Sequence, residues 1–276
     1  MSNPERKLAS HSDAYFPGLH QGVGGNIFCD WVVAANINYV WCRLMTDRSA
    51  VATANTPFGY ICRRCSRCCQ HKHIQLDPYE VARLAHAKGE STTQFREAWT
   101  VDGQGTALRQ KEDGTCVFLG PQGCEVHADR PLVCRLYPLG RHFRKDGFEY
   151  FSISEGHPLT AGEYNKSGII ADYLEAQETK PFISAGDGYF QWFCSAYQKL
   201  NATDDALISE FINGADDQGL LDMDRMIAKH CAATGEPEPE NIDDRAQLHL
   251  KLLDDVLANL EGKDDQGSSK PSKPAA

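Results

Sequence analysis

Four thiols fall within eight residues in the run Cys62-Arg63-Arg64-Cys65-Ser66-Arg67-Cys68-Cys69. Two overlapping Cys-x-x-Cys steps place sulfurs close enough to share one metal ion or one iron–sulfur cluster. The doublet adds a thiol that an extended backbone would point to the opposite side. Three more cysteines, Cys116, Cys124 and Cys134, follow in turn-rich sequence. These seven candidate ligands exceed the four that one tetrahedral ion or one cubane cluster needs, so two centres are open, as is one centre with spare thiols. His71, His73, His127 and His157 are candidates for an eighth donor. Any one of them alone reads as a surface or capping residue. His127 is the best placed, three residues after Cys124 and seven before Cys134.

Spacing bears on the kind of centre. Cys62-x2-Cys65-x2-Cys68 matches the opening of bacterial ferredoxin-type ligation but departs at the fourth position, where Cys69 follows at once and no Pro comes after. A zinc ribbon wants two separated Cys-x-x-Cys knuckles, and Cys116-x7-Cys124-x9-Cys134 is no knuckle. The centre is therefore a zinc ion or an iron–sulfur cluster, with the spacing leaning towards iron–sulfur. Arg63, Arg64, Arg67, His71, Lys72 and His73 surround the first thiols, and Arg130, Arg135, Arg141, Arg144 and Lys145 flank Cys134. Such cations favour the thiolate that ligates metals. They also suit a rim that docks an acidic protein partner.

The elements that must position these residues belong to an ordinary globular chain of 276 residues, 41% hydrophobic and 24% charged. The net charge of -10 argues against a nucleic-acid footprint. Eleven cysteines are an odd number, and Met1 to Lys7 lacks the apolar core of a secretory signal. A reduced, cytoplasmic protein is expected rather than a disulfide scaffold. Asp30, Asn36, Asn38 and Arg43 interrupt the apolar stretch from Ile27 to Met45, so no membrane span of ~20 apolar residues is expected there.

Residues 1–25 read as a flexible arm, and Ile27–Met45 as an amphipathic helix in which Cys29 and Cys42 are small core residues. Asn55-Thr56-Pro57-Phe58-Gly59 reads as a turn. Asp77-Pro78-Tyr79-Glu80 carries the N-cap, first-turn Pro and capping-box residues of a helix that stops near Gly89, and Ser91 opens another with Phe95 and Trp99. Thr115–Leu119 and Cys124–His127 read as strands of a hairpin turned by Gly120-Pro121-Gln122-Gly123, and Asp129-Arg130-Pro131 opens a short helix carrying Cys134. Phe148–Ile153 reads as a strand, Gly162–Glu178 as a helix, and Ala206–Ile212, Leu220–Ala228 and Leu248–Leu260 as helical segments. The expected fold is α+β, a small cysteine-rich hairpin and loop core enclosed by helices, with a mainly helical C-terminal region. Its parts are an arm and helix over 1–57, a metal domain over 58–180, a helical region over 181–261 and a disordered tail over 262–276.

Cys62-x2-Cys65-x2-Cys68-Cys69, Cys116-Val117-Phe118-Leu119, Gly123-Cys124-Glu125-Val126-His127 and Arg130-Pro131-Leu132-Val133-Cys134-Arg135-Leu136-Tyr137-Pro138 together resemble the YkgJ-type cysteine-cluster family. The likeness spans about residues 58–180 and implies a zinc- or iron-chelating domain, a version of which flagellin lysine-N-methylases share. Members often place Cys-Pro where this chain has His157-Pro158, so His157 either replaces a thiolate or marks its loss.

Three function classes follow: a metal-binding protein with a structural or redox centre, an iron–sulfur enzyme modifying a protein side chain, and a zinc-stabilised interaction module. Gly22-x-Gly24-Gly25 lacks the context of a dinucleotide loop, and Asp216, Asp217, Asp222 and Asp224 miss EF-hand spacing and read as solvated surface.

Overall fold

The computed structural model describes residues 51–103, 105, 107–143, 148–199 and 219–264. Among them run helices α1 (Pro78–Lys88), α2 (Thr92–Trp99), α3 (Leu132–Leu136), α4 (Ile170–Ala176), α5 (Lys180–Lys199), α6 (Met223–Thr234) and α7 (Ile242–Asp264). Strands β1 (Pro57–Ile61), β2 (Leu119–Gly120), β3 (Gly123–Cys124), β4 (Leu139–Phe143), β5 (Glu149–Ile153) and β6 (Glu163–Ile169) form three antiparallel ribbons, β1–β6, β2–β3 and β4–β5. The arrangement is α+β, with a helical C-terminal region.

Local chemistry fixes α1 at both ends. Asp77 Oδ1 accepts the Glu80 amide at 2.8 Å and Glu80 Oε2 accepts the Asp77 amide at 3.1 Å. Gly89 closes the helix at φ 70, in the left-handed region that favours glycine. Ser91 and Gln94 build the same reciprocal cap on α2. Helix α1 then serves two cores. Val81, Leu84 and Ala85 pack with Ile74, Leu76, Phe95, Leu108, Phe118 and Val126, beside the cysteines. Tyr79 and Ala82 face the C-terminal bundle with Phe182, Tyr189, Trp192, Met223, Ile227 and Leu253. A third core, with Phe58, Tyr60, Leu139, Phe151, Ile170 and Tyr173, lies under β1, β4, β5 and α4.

Three segments differ from their sequence patterns. Of the apolar residues that suggested one helix over Gly162–Glu178, Ile170, Tyr173 and Leu174 lie in α4, whereas Ile169 ends the strand before it. The first half pairs with β1 as β6, with Tyr60 opposite Tyr164. The turn expected at Asn55–Gly59 closes earlier, where the Thr56 amide reaches Thr53 O at 2.9 Å, and Pro57 begins a strand, a position proline tolerates. The cysteine hairpin exists but pairs only Leu119 with Cys124 and Gly120 with Gly123. Phe58 is buried against Tyr173, with ring centroids 5.1 Å apart. The N-terminal helix over Ile27–Met45 with Cys29 and Cys42, the Ala206–Ile212 segment, Asp216, Asp217 and the tail beyond Asp264 lie outside the described residues.

Asp222 and Asp224 are not solvated surface. Asp222 is buried and accepts from Thr92 Oγ1 at 2.6 Å and Thr93 Oγ1 at 2.5 Å, while Asp224 accepts the Thr92 amide at 2.7 Å. Arg245 on α7 reaches Asp224 Oδ1 at 2.7 Å. The two carboxylates therefore clamp the start of α2 to the start of α6. Asp222→Ala leaves both threonine hydroxyls without their acceptor and is expected to cost about 3 kcal/mol in denaturant unfolding. A loss near zero would show that the clamp contributes no net stability.

Candidate metal centre

Three pieces of chain bring the thiols together. The Cys62–Cys69 loop coils through left-handed backbone at Arg64 (φ 51) and Ser66 (φ 62), conformations that the surrounding structure must enforce. It is then zipped to the second cysteine group. The Cys116 amide donates to Cys69 O at 2.9 Å, and the His71 amide donates to Gly114 O at 2.8 Å. Gly114 sits at φ 78 directly against the His71 ring, and a Cβ there would lie 2.3 Å from Nδ1. Cys124 enters on β3. Cys134 enters on α3, whose start is fixed from α1: the Leu132 amide donates to Glu80 Oε1 at 2.7 Å, and Arg83 pairs with Asp129 at 2.7 Å.

Arg135 completes this seating. It is 2% exposed, donates to the carbonyls of Arg130 at 3.0 Å, Gln177 at 2.8 Å and Ala128, and lies 4.1 Å over the Phe182 ring. Burial, with Arg130 and Arg83 nearby, holds its guanidinium down at about 10. Arg141 is likewise turned inward, pairing with Asp187 at 2.6 Å and Glu149 at 2.5 Å. Neither arginine belongs to an exposed docking rim. Their stems and charges are spent on internal bonds.

Cys68, Cys69, Cys116, Cys124 and Cys134 interact electrostatically as one set. The Cys69 thiol hydrogen-bonds Cys68, which pushes Cys68 down and Cys69 up. Burial pushes Cys116, Cys124 and Cys134 up. A repeated backbone device opposes it. Sulfur accepts the amide two residues onward at Cys62 from Arg64 (3.4 Å), at Cys65 from Arg67, at Cys116 from Phe118 and at Cys124 from Val126. Curling around Cys116 and Cys124 in this way is what keeps the β2–β3 ladder so short. At Cys65, Cys116 and Cys124 that amide favours the thiolate. Among the described residues no three His, Cys, Asp or Glu side chains are grouped tightly enough to hold a metal ion as they stand. The five thiols share one region without forming a finished cage. The seven clustered cysteines form no disulfide with one another.

The other candidates lie around this set. Cys65 sits at its edge, interacting with Cys68, receives the Ala161 amide at 3.4 Å and the Arg67 amide, and lies 3.7 Å from Thr160 Oγ1. These donors, the Ala161 amide first, hold its thiol below the usual range. Cys62 is exposed and lies by Tyr60, Tyr137 and Tyr173. His157 belongs to the loop that reaches Cys65, its amide donating to Tyr137 Oη at 2.8 Å and its Nδ1 accepting the Leu159 amide at 3.0 Å. His127 stands 3.5 Å from Arg130 Nη1, and burial with Arg130, Arg64 and Arg135 pushes its ring down. Its neighbours are arginines. The approach of Thr160 and Ala161 to Cys65, across 95 residues, leaves no local signal in sequence.

Seven cysteines in this order, folded onto two capped helices and a short hairpin, invite comparison with known families. Residues 61–152 match the family model described as "CxxCxxCC: Putative zinc- or iron-chelating domain". The match covers about a third of the chain, and it contains all seven clustered thiols and His127 but not His157. No curated protein and no solved structure matches the chain. The matched segment carries seven thiols, donors of the kind that suits zinc and iron–sulfur centres. Among the described residues no helix is long and apolar enough to cross a membrane.

Proposed function

We propose that the chain is a metal-binding protein with one centre shared by both cysteine groups, serving a structural or redox role. Cys68, Cys69, Cys116, Cys124 and Cys134 would hold it, with Cys65 at its edge. One observation carries this reading: Cys116, Cys124 and Cys134 pack against one core, and the Cys116 amide donates to Cys69 O at 2.9 Å, which joins the two cysteine groups. The ferredoxin-like opening of the motif favours an iron–sulfur cluster over zinc. When bound, such a cluster supplies one-electron transfer, and a zinc ion in its place supplies a crosslink. Protein purified without oxygen tests the reading by metal and sulfide analysis. Brown protein with stoichiometric iron and acid-labile sulfide supports the cluster, and tight zinc supports the structural centre. A chain holding neither overturns it.

Proton release gives a second test. In the metal-free fold burial raises Cys116, Cys124 and Cys134, so these remain thiols at neutral pH. Their raised values add stability that is full below the ordinary thiol range and is lost as pH rises through the folded values. A metal ion needs the thiolates and runs the other way. Binding at pH 7 should release roughly three to four protons, and affinity should climb with pH. Titration in two buffers of different ionisation enthalpy counts the protons. Release of fewer than about one would exclude the raised thiols as ligands.

A further inference from the structure

The chain enters the described fold beside β5. Ala52 bridges Phe151 in the antiparallel sense, and the Phe151 amide donates to Ala52 O at 2.8 Å. Antiparallel partners run in opposite directions, so the residues before Ala52 head past Ser152 towards Ile153. They head away from the other end of the ribbon, where Phe143 pairs with Glu149.

The end they approach is an open apolar edge of the third core. Side chains two apart on a strand share a face, so Ile153 continues the face on which Phe151 is buried, and it stands across the ladder from buried Leu139. Ile153 is nonetheless 44% exposed. Tyr164, 41% exposed, borders the same end: its hydroxyl donates to Ser154 O at 2.6 Å, and its ring meets that of Tyr60, in the third core, at 5.0 Å. Leu159, 66% exposed, sits on the loop between β5 and β6, next to Thr160, whose Oγ1 is 3.2 Å from Tyr60 Oη. The same loop reaches Cys65 through the Ala161 amide.

Residues 27–45 carry Phe28, Trp31, Val32, Ala35, Tyr39 and Cys42 at spacings of three or four, a stripe that needs an apolar surface to bury it. Only residues 46–50 separate that segment from Val51, a reach of at most roughly 20 Å. We propose that the segment 27–45 docks on the patch of Ile153, Leu159 and Tyr164, closing the open end of the third core and covering the loop that holds Cys65. The direction of entry selects this patch over Phe143 and Phe148, which are exposed to a like degree at the far end of the ribbon. The assignment does not depend on the metal centre.

Hydrogen exchange on the full chain, with its thiols kept reduced, tests the docking. Amides over 27–45 should exchange at least about tenfold more slowly than in the same segment as a free peptide. Ile153→Asp and Leu159→Asp change exposed positions and should each remove most of that protection, while α1 stays at the parent level. Phe148→Ser, at the far end of the ribbon, should leave it intact. Trp31→Asp should in turn speed exchange in the loop over 154–162. Exchange of 27–45 at the free-peptide rate in the parent would refute the docking, as would protection that survives both aspartate substitutions. Equal loss in Phe148→Ser would show that the patch is not what holds the segment. Protection that disappears on dilution would assign the patch to a second copy of the chain, and the docking within one chain would be wrong.

Discussion

Replacing Cys134 or Cys68 with serine is expected to strip most of the bound metal, a loss of at least about 100-fold in affinity. A serine hydroxyl does not ionise at neutral pH and is a poor ligand for a metal that prefers sulfur. The two residues come from opposite ends of the cluster, and Cys134 is carried by a helix whose start is tied to Glu80 at 2.7 Å. Loss at both positions therefore means one centre. Cys231→Ser serves as the control, because Cys231 is buried among Tyr79, Ile227 and Leu253, away from the cluster, and should retain full occupancy. Cys62→Ser should have the smallest effect of the seven, its thiol being exposed. If Cys134→Ser kept full occupancy while Cys68→Ser lost it, the two cysteine groups would be independent and the shared centre would be refuted.

Arg135→Met should be the most damaging change outside the thiols, costing about 3–5 kcal/mol in denaturant unfolding. The side chain is 2% exposed and satisfies three carbonyls, those of Ala128, Arg130 and Gln177. Methionine fills the volume but leaves each oxygen without its donor, a penalty of up to about 1–3 kcal/mol apiece where water does not take its place. Those carbonyls bound the turn before α3 and the end of α4, so the same change should loosen Cys134 and weaken metal binding as well. Unfolding indistinguishable from the parent would show that water replaces the guanidinium without cost.

The parts of the fold legible in sequence were those decided by neighbouring residues. Asp77 with Glu80, Ser91 with Gln94, and the glycine at position 89 announce helix ends because both partners of each bond lie within four residues. The cysteine blocks likewise announce the match to a family model described as zinc- or iron-chelating. What sequence could not show is decided across distance. Asp222 reads as one acid in a polar run until Thr92 and Thr93 arrive from 130 residues away. Arg135 reads as basic rim until three carbonyls and Phe182 close around it. Helix α5 falls in the helical region expected over 181–261, and there Gly188 lowers helix propensity yet lets Leu250 of α7 approach to 2.8 Å from where a Cβ would stand. The strand β6 was lost in a helical pattern because its partner, β1, lies about a hundred residues earlier.

The central claim is that sulfur from both cysteine groups surrounds one metal. X-ray absorption at the metal edge of the full, anaerobically purified chain measures it most directly. The expected first shell is dominated by sulfur at about 2.3 Å, with at least about three sulfurs per metal, and Cys134→Ser should lose this signal. A first shell dominated by nitrogen or oxygen at about 2.0–2.1 Å would contradict the account.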